Sequence, residues 1–186
     1  FCVFKQRAVL RRYFERARAT DMANPALQYG AALAEIKSGS AATAVALLKP
    51  LLVTHPQLPL LHIALAQAQL AAGLKRAAMG SFEHGLSLAP RNVPLTVRYA
   101  ESLLLEGDAK KAHQILLDLF NVVAPSPEQI RLIALAASSA GDTGDAYYYM
   151  AELHIASGDL ILATTQLDLA LAAPALTDVQ RKRFLA

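Results

Sequence analysis

Four glycines, Gly39, Gly73, Gly107 and Gly141, recur every 34 residues without a slip. An alanine follows each of them five residues later: Ala44, Ala78, Ala112 and Ala146. With glycine at about 7% of ordinary sequence, three further glycines at dictated places arise by chance roughly three times in ten thousand. A period of this length fits a helix–turn–helix unit, which cannot bury its apolar face alone and stacks on copies of itself. The chain is therefore expected to be all-α, a stack of helical hairpins. Stacks of this kind build surfaces for other proteins more readily than pockets for chemistry.

The same register fixes further positions. Blocks of 34 begin at Pro25, Pro59, Val93 and Pro127, and the eighth residue of each is alanine: Ala32, Ala66, Ala100 and Ala134. Small residues at positions eight and twenty let two helices approach closely. The glycine between them suits the left-handed turn that ends a first helix. Leu48, Phe82, Leu116 and Met150 stand at position twenty-four, where a large apolar side chain fills the gap between hairpins. Pro56 and Pro90 are expected to stop the second helices, and Pro125 to do so one residue late. The fourth block breaks the rhythm, because Gly158 follows Gly141 by half a repeat and Ala163 lies five further on. A block counted from Gly144 puts Ala151 at position eight, Leu167 at twenty-four and Ala170 at twenty-seven. One helix, about Asp145 to Ser157, then closes one hairpin and opens the next.

These residues and spacings resemble the tetratricopeptide repeat family over roughly residues 25–174, although the chain has no tryptophan and no tyrosine at position eleven. The resemblance implies a right-handed superhelical solenoid of about four and a half repeats. Residues 1–24 form a basic linker or capping helix ahead of it, and 175–186 begin a C-terminal helix. It also implies a concave groove lined by positions two, five, nine and twelve of each first helix. In the first two blocks these include Tyr29, Leu33, Ile36, Leu60, Ile63, Gln67 and Leu70; later blocks add Val97, Glu101, Leu104, Arg131 and Leu135. Family members that hold acidic chaperone tails use a Lys/Asn clamp at positions five and nine. Tyr29 and Leu33, then Ile63 and Gln67, stand there instead. The groove suits an apolar, extended or unfolded protein segment. Alternatively, terminal helices cover part of it. The run Tyr147-Tyr148-Tyr149 has two readings: rings packed between helices, or an aromatic contact for a partner.

Composition narrows the function classes. At 186 residues the length suits one repeat domain, and the 54% hydrophobic content, with mean hydropathy +0.30, owes much to alanine at helix contacts. No apolar run reaches the ~20 residues needed to span a bilayer. The chain begins at Phe1, so it is expected to be a piece of a longer protein. Cys2 stands alone and makes no internal disulfide. Lys5, Arg7, Arg11, Arg12, Arg16 and Arg18 face a single acid, Glu15, over the first twenty residues, with Val3, Leu10, Phe14 and Ala17 at helical spacing. That basic amphipathic helix could cap the stack, dock on another domain, or contact nucleic acid or anionic lipid. A net charge of only +3 and a groove poor in base-reading side chains weigh against nucleic acid.

Nothing marks a catalyst. His55, His62, His84, His113 and His154 include no pair three or four residues apart, and HExxH, G-x-S-x-G, Walker A and G-x-G-x-x-G are all missing. No catalytic, metal or cofactor residue is expected in this chain. Within the repeat family, Phe4 to Arg11, Met22-Ala23-Asn24-Pro25 and Tyr29 to Leu33 resemble the junction that follows the protease domain in bacterial M48-family zinc metalloproteases of the beta-barrel assembly-enhancing type. Ala151 to His154, Gly158-Asp159 and Gln166 to Ala170 resemble their C-terminus. That resemblance implies a periplasmic domain that handles substrates or partners in outer-membrane protein quality control, with zinc confined to an attached protease domain. A free-standing or differently fused scaffold in envelope, secretion or pilus assembly is the alternative.

Overall fold

The computed structural model describes residues 9, 12–16, 19, 21, 24–174 and 176–185. Among them there are helices and turns and no strand. The helices that follow residue 24 are α1 (Pro25–Ser38), α2 (Ala41–Thr54), α3 (Pro59–Ala71), α4 (Lys75–Leu88), α5 (Val93–Leu105), α6 (Ala109–Phe120), α7 (Pro127–Ala140), α8 (Thr143–Ser157), α9 (Leu160–Leu171) and α10 (Asp178–Phe184). They fall into two compact units, Phe1–Leu95 and Thr96–Ala186. No helix is long and apolar enough to cross a membrane among the described residues.

The periodic glycines act as the sequence implies. Gly39, Gly73, Gly107, Gly141 and Gly158 all have φ between 76° and 90°. Each donates its N–H three residues back, and the next residue donates five back. The pairs are Gly39 to Ile36 with Ser40 to Glu35, and Gly141 to Ser138 with Asp142 to Ala137. This satisfies carbonyls that a helix end would otherwise leave orphaned, and it reverses the chain within two residues. The following helix is then capped by an aspartate in three cases: Asp108, Asp142 and Asp159 accept from the N–H of Lys111, Asp145 and Leu162.

In the first unit, Ala32, Ala44, Leu48, Leu61, Ala64 and Ala68 form the core, with Tyr29, Leu33 and Ile36 packed on its margin. Asn24 caps α1 by accepting from Ala26 N–H at 3.0 Å. Ahead of it, residues 12–16 are helical, and the Phe14 ring occupies the space where a Cβ on Gly30 would stand. In the second unit, Leu116, Leu119, Ile133, Ala136 and Ala137 are buried, and so are Ala151, Ala163 and Ala170 on α8 and α9.

Two details differ from expectation. Helix α6 ends at Phe120, well ahead of Pro125, because its last turn closes through the N–H of Asn121 onto Leu117. Ala146 and Met150 are half-buried, whereas Ala44, Ala78, Ala112, Leu48, Phe82 and Leu116 are fully buried. The buried set on α8 is instead Gly144, Asp145, Tyr149 and Ala151. A helix that packs on both α7 and α9 must divide its apolar surface between two neighbours, so neither register is satisfied in full.

Candidate interaction groove

Asp145 organises the second unit. Its side chain is 1% exposed, and a buried carboxylate is costly unless donors surround it. His113 Nε2 lies 3.1 Å from Asp145 Oδ2, Gln180 Nε2 donates to Oδ1 at 2.8 Å, and the Arg183 guanidinium also donates to Oδ1. Burial alone would raise the Asp145 pKa; hydrogen bonds from His113 and Gln180, with the charge of Arg183, outweigh it and hold the carboxyl below its ordinary value. The Gln180 amide also donates to Asp142 Oδ2 at 2.9 Å. Its carbonyl accepts from the N–H of Thr177, completing the capping box that starts α10. Helix α10 is thus fixed to α8 by charge and amide contacts at its start and middle.

Apolar contacts hold its end. Phe184 is buried and stacks on Tyr148, with ring centroids 4.7 Å apart and planes 13° from parallel. The Arg183 guanidinium lies 5.0 Å from the Tyr148 centroid and 5.7 Å from that of Tyr149. Tyr149 is buried, and burial is the main cause raising its pKa. Tyr147 is exposed. Two rings of the tyrosine run, Tyr148 and Tyr149, are therefore engaged within the unit, and both stand on the walls of a groove.

That groove has two chambers. The larger, about 350 Å³, lies between α8, α9 and α10; Ile155, Leu160, Leu167 and Phe184 line it together with Tyr148 and Glu152. The smaller, about 140 Å³, is bounded by Phe120, Pro125 and Ile130 and shares Tyr148, Glu152 and Arg183 with the first. Beside the larger chamber, Leu160 and Ile161 are 64% and 81% exposed.

The positions expected to line a groove are distributed unevenly. Tyr29, Leu33, Ile36, Ile63, Gln67 and Leu70 are half-buried on α1 and α3, and Leu60 is exposed. The Tyr29 hydroxyl has its pKa raised by burial. On α5, Val97, Glu101 and Leu104 are half-buried, and Glu101 is engaged by Arg98 at 2.8 Å. Arg131 and Leu135 are exposed on α7 and line neither chamber. The chamber walls come from Tyr148, Glu152 and Ile155, which are positions five, nine and twelve of the block counted from Gly144. The half-repeat shift contained that signal, but it becomes a groove only with α10 in place.

His113, Asp142 and Asp145 offer ligand atoms within 4.8 Å of one another, the geometry of a cation site. Gln180 already donates into both carboxylates and Arg183 into that of Asp145, so the cluster is occupied by protein donors and works as a hydrogen-bond hub. Elsewhere, the rings of His62 and His84 meet edge-to-face at 5.3 Å, a proximity that sequence spacing did not reveal. His62 Nε2 lies 2.8 Å from the Pro56 carbonyl oxygen, a contact that ties it to the turn before α3.

No family profile matches the chain, and no curated protein sequence matches it. Solved structures do. A thermophilic tetratricopeptide-repeat protein from Thermus thermophilus shares 22% identity over 90% of this chain and 92% of its own, with TM-score 0.65. A tetratricopeptide-repeat protein from Parabacteroides merdae shares 12% over 97% of this chain and 77% of its own, at TM-score 0.61. YrrB, a repeat protein described as having an unusual peptide-binding site, shares 13% over 93% of this chain and 98% of its own, at TM-score 0.54. At these identities the likeness shows the fold alone: an all-α tetratricopeptide-repeat architecture.

Proposed function

We propose that this tetratricopeptide-repeat fold serves as a protein-interaction domain that holds extended, apolar segments of other proteins. The observation that carries the reading is the two-chambered groove on α8–α10, whose larger chamber is apolar and is lined by exposed Leu160 with exposed Ile161 beside it. Apolar surface that a small domain leaves open next to a preformed cavity is the usual signature of a docking site. The half-buried apolar row on α1 and α3 offers a second, shallower face in the other unit. More finely, the domain is the substrate-handling arm of an M48-type zinc metalloprotease in the periplasm, acting on outer-membrane proteins that fail to assemble. The support for that placement is the resemblance of Phe4 to Arg11, Tyr29 to Leu33 and Ala151 to Ala170 to such proteins.

Binding to an unfolded outer-membrane β-barrel protein, followed by fluorescence anisotropy of a labelled chain, tests both levels. Saturable binding that apolar peptides compete away is the expected result. Binding to any unfolded chain without preference keeps the interaction domain and removes the outer-membrane assignment. No binding to unfolded chains or peptides overturns the interaction reading itself.

A further inference from the structure

The charge on the groove walls says more about the occupant than its apolarity does. Among the described residues, the charged side chains lining the chambers are Glu152 and Arg183, of opposite sign, and both chambers share them. Arg183 spends its charge on buried Asp145 and stacks over Tyr148 and Tyr149. Glu152 makes no ion pair among the described residues; burial first, and then the nearby Glu152 charge, raise the pKa of Tyr148. The groove therefore presents one unpaired carboxylate where the two chambers meet, with apolar walls in the larger chamber and mixed walls, Asn121 among them, in the smaller. A volume of about 350 Å³ lies at the small end of ligand pockets, which run from about 300 to 1,000 Å³, and suits one or two bulky side chains.

We propose that the α8–α10 groove is a subsite for a peptide segment that carries a large aliphatic or aromatic residue next to a lysine or arginine. The apolar side chain enters the larger chamber against Ile155, Leu160, Leu167 and Phe184. The neighbouring cation lies at Glu152. The inference rests on the peptide-binding reading above and adds the ligand's chemistry and the site's place. The preference runs opposite to a clamp for acidic tails, because the residues at positions five and nine of this block are Tyr148 and Glu152 rather than cations.

The test uses two fluorescein-labelled, end-blocked peptides, Gly-Lys-Phe-Leu-Lys-Gly and Gly-Glu-Phe-Leu-Glu-Gly, titrated against the full chain by anisotropy. The basic peptide should bind about fivefold tighter than the acidic one, a margin set by a part-exposed charge pair and sensitive to salt. Glu152→Lys should invert that preference. Ile155→Asp, at a residue 52% exposed, should abolish binding of both while leaving the circular dichroism unchanged; Leu160→Asp serves the same purpose if it does not. Equal binding of the two peptides, or a preference that Glu152→Lys leaves untouched, overturns the subsite and leaves peptide binding standing. If neither peptide binds, the subsite and the broader reading fall together.

Discussion

A carboxylate that is 1% exposed must find donors on several sides, and Asp145 finds them on His113, Gln180 and Arg183. Its folded pKa is lowered, so its contribution to stability is present above the unfolded value of about 3.9 and is lost as pH falls through the lower folded value. Asp145→Asn removes that ionisation. Melting curves of the two proteins should therefore differ most near neutral pH and converge as pH falls below about 4; a constant gap would mean that folding leaves the Asp145 pKa unshifted. Glycines give a second test at this scale. Gly141 has φ 84° and no neighbour within 4 Å of an added Cβ, so Gly141→Ala should cost about 1–2 kcal/mol from backbone strain alone. Gly80 lies inside α4 with open space around it, and Gly80→Ala should stabilise by about 0.5–1 kcal/mol. Chemical denaturation of the two variants checks the opposite signs.

Among the elements, α8 and α10 decide the site. Helix α8 packs on α7 and α9, and α10 rests on it through Gln180, Arg183 and Phe184. Phe184→Ala should release α10 and leave the rest of the unit folded, because α10 packs on α8 and α9 and not on the α6–α7 core. Amide exchange over 178–184 should then rise while protection of Ile133 and Ala137 persists; a collapse of both would show that α10 is part of one cooperative block. Much of this level was legible in advance. The 34-residue glycines placed the hairpins, and the interval from Gly141 to Gly158 announced the shared helix. What did not show was the hub, since residues 113, 145, 180 and 183 meet only when three helices are packed. The groove walls were hidden for the same reason. Positions five, nine and twelve of the shifted block are surface residues on an isolated α8, and the α10 helix turns them into a cavity. The expectation that Pro125 stops α6 failed because the preceding turn had already ended the helix.

At the level of the whole molecule, the two units offer different kinds of surface. In Phe1–Leu95 the apolar row on α1 is tied to the core: Tyr29, Leu33 and Ile36 pack against it, while Leu60 on α3 stays exposed. Leu33→Asp should therefore destabilise the protein by about 1–3 kcal/mol, whereas Leu60→Asp should stay within about 0.5 kcal/mol and test only binding. In Thr96–Ala186 the groove is preformed, and its open residues can change without cost to the core. The central claim is that extended apolar segments dock there. The most direct measurement is hydrogen–deuterium exchange of the full chain with and without a saturating Lys-Phe-Leu-Lys peptide. The account predicts slowed exchange across residues 148–167 and in α10, with α2 and α4 unchanged. Slowing confined to the first unit, or none anywhere, would contradict it.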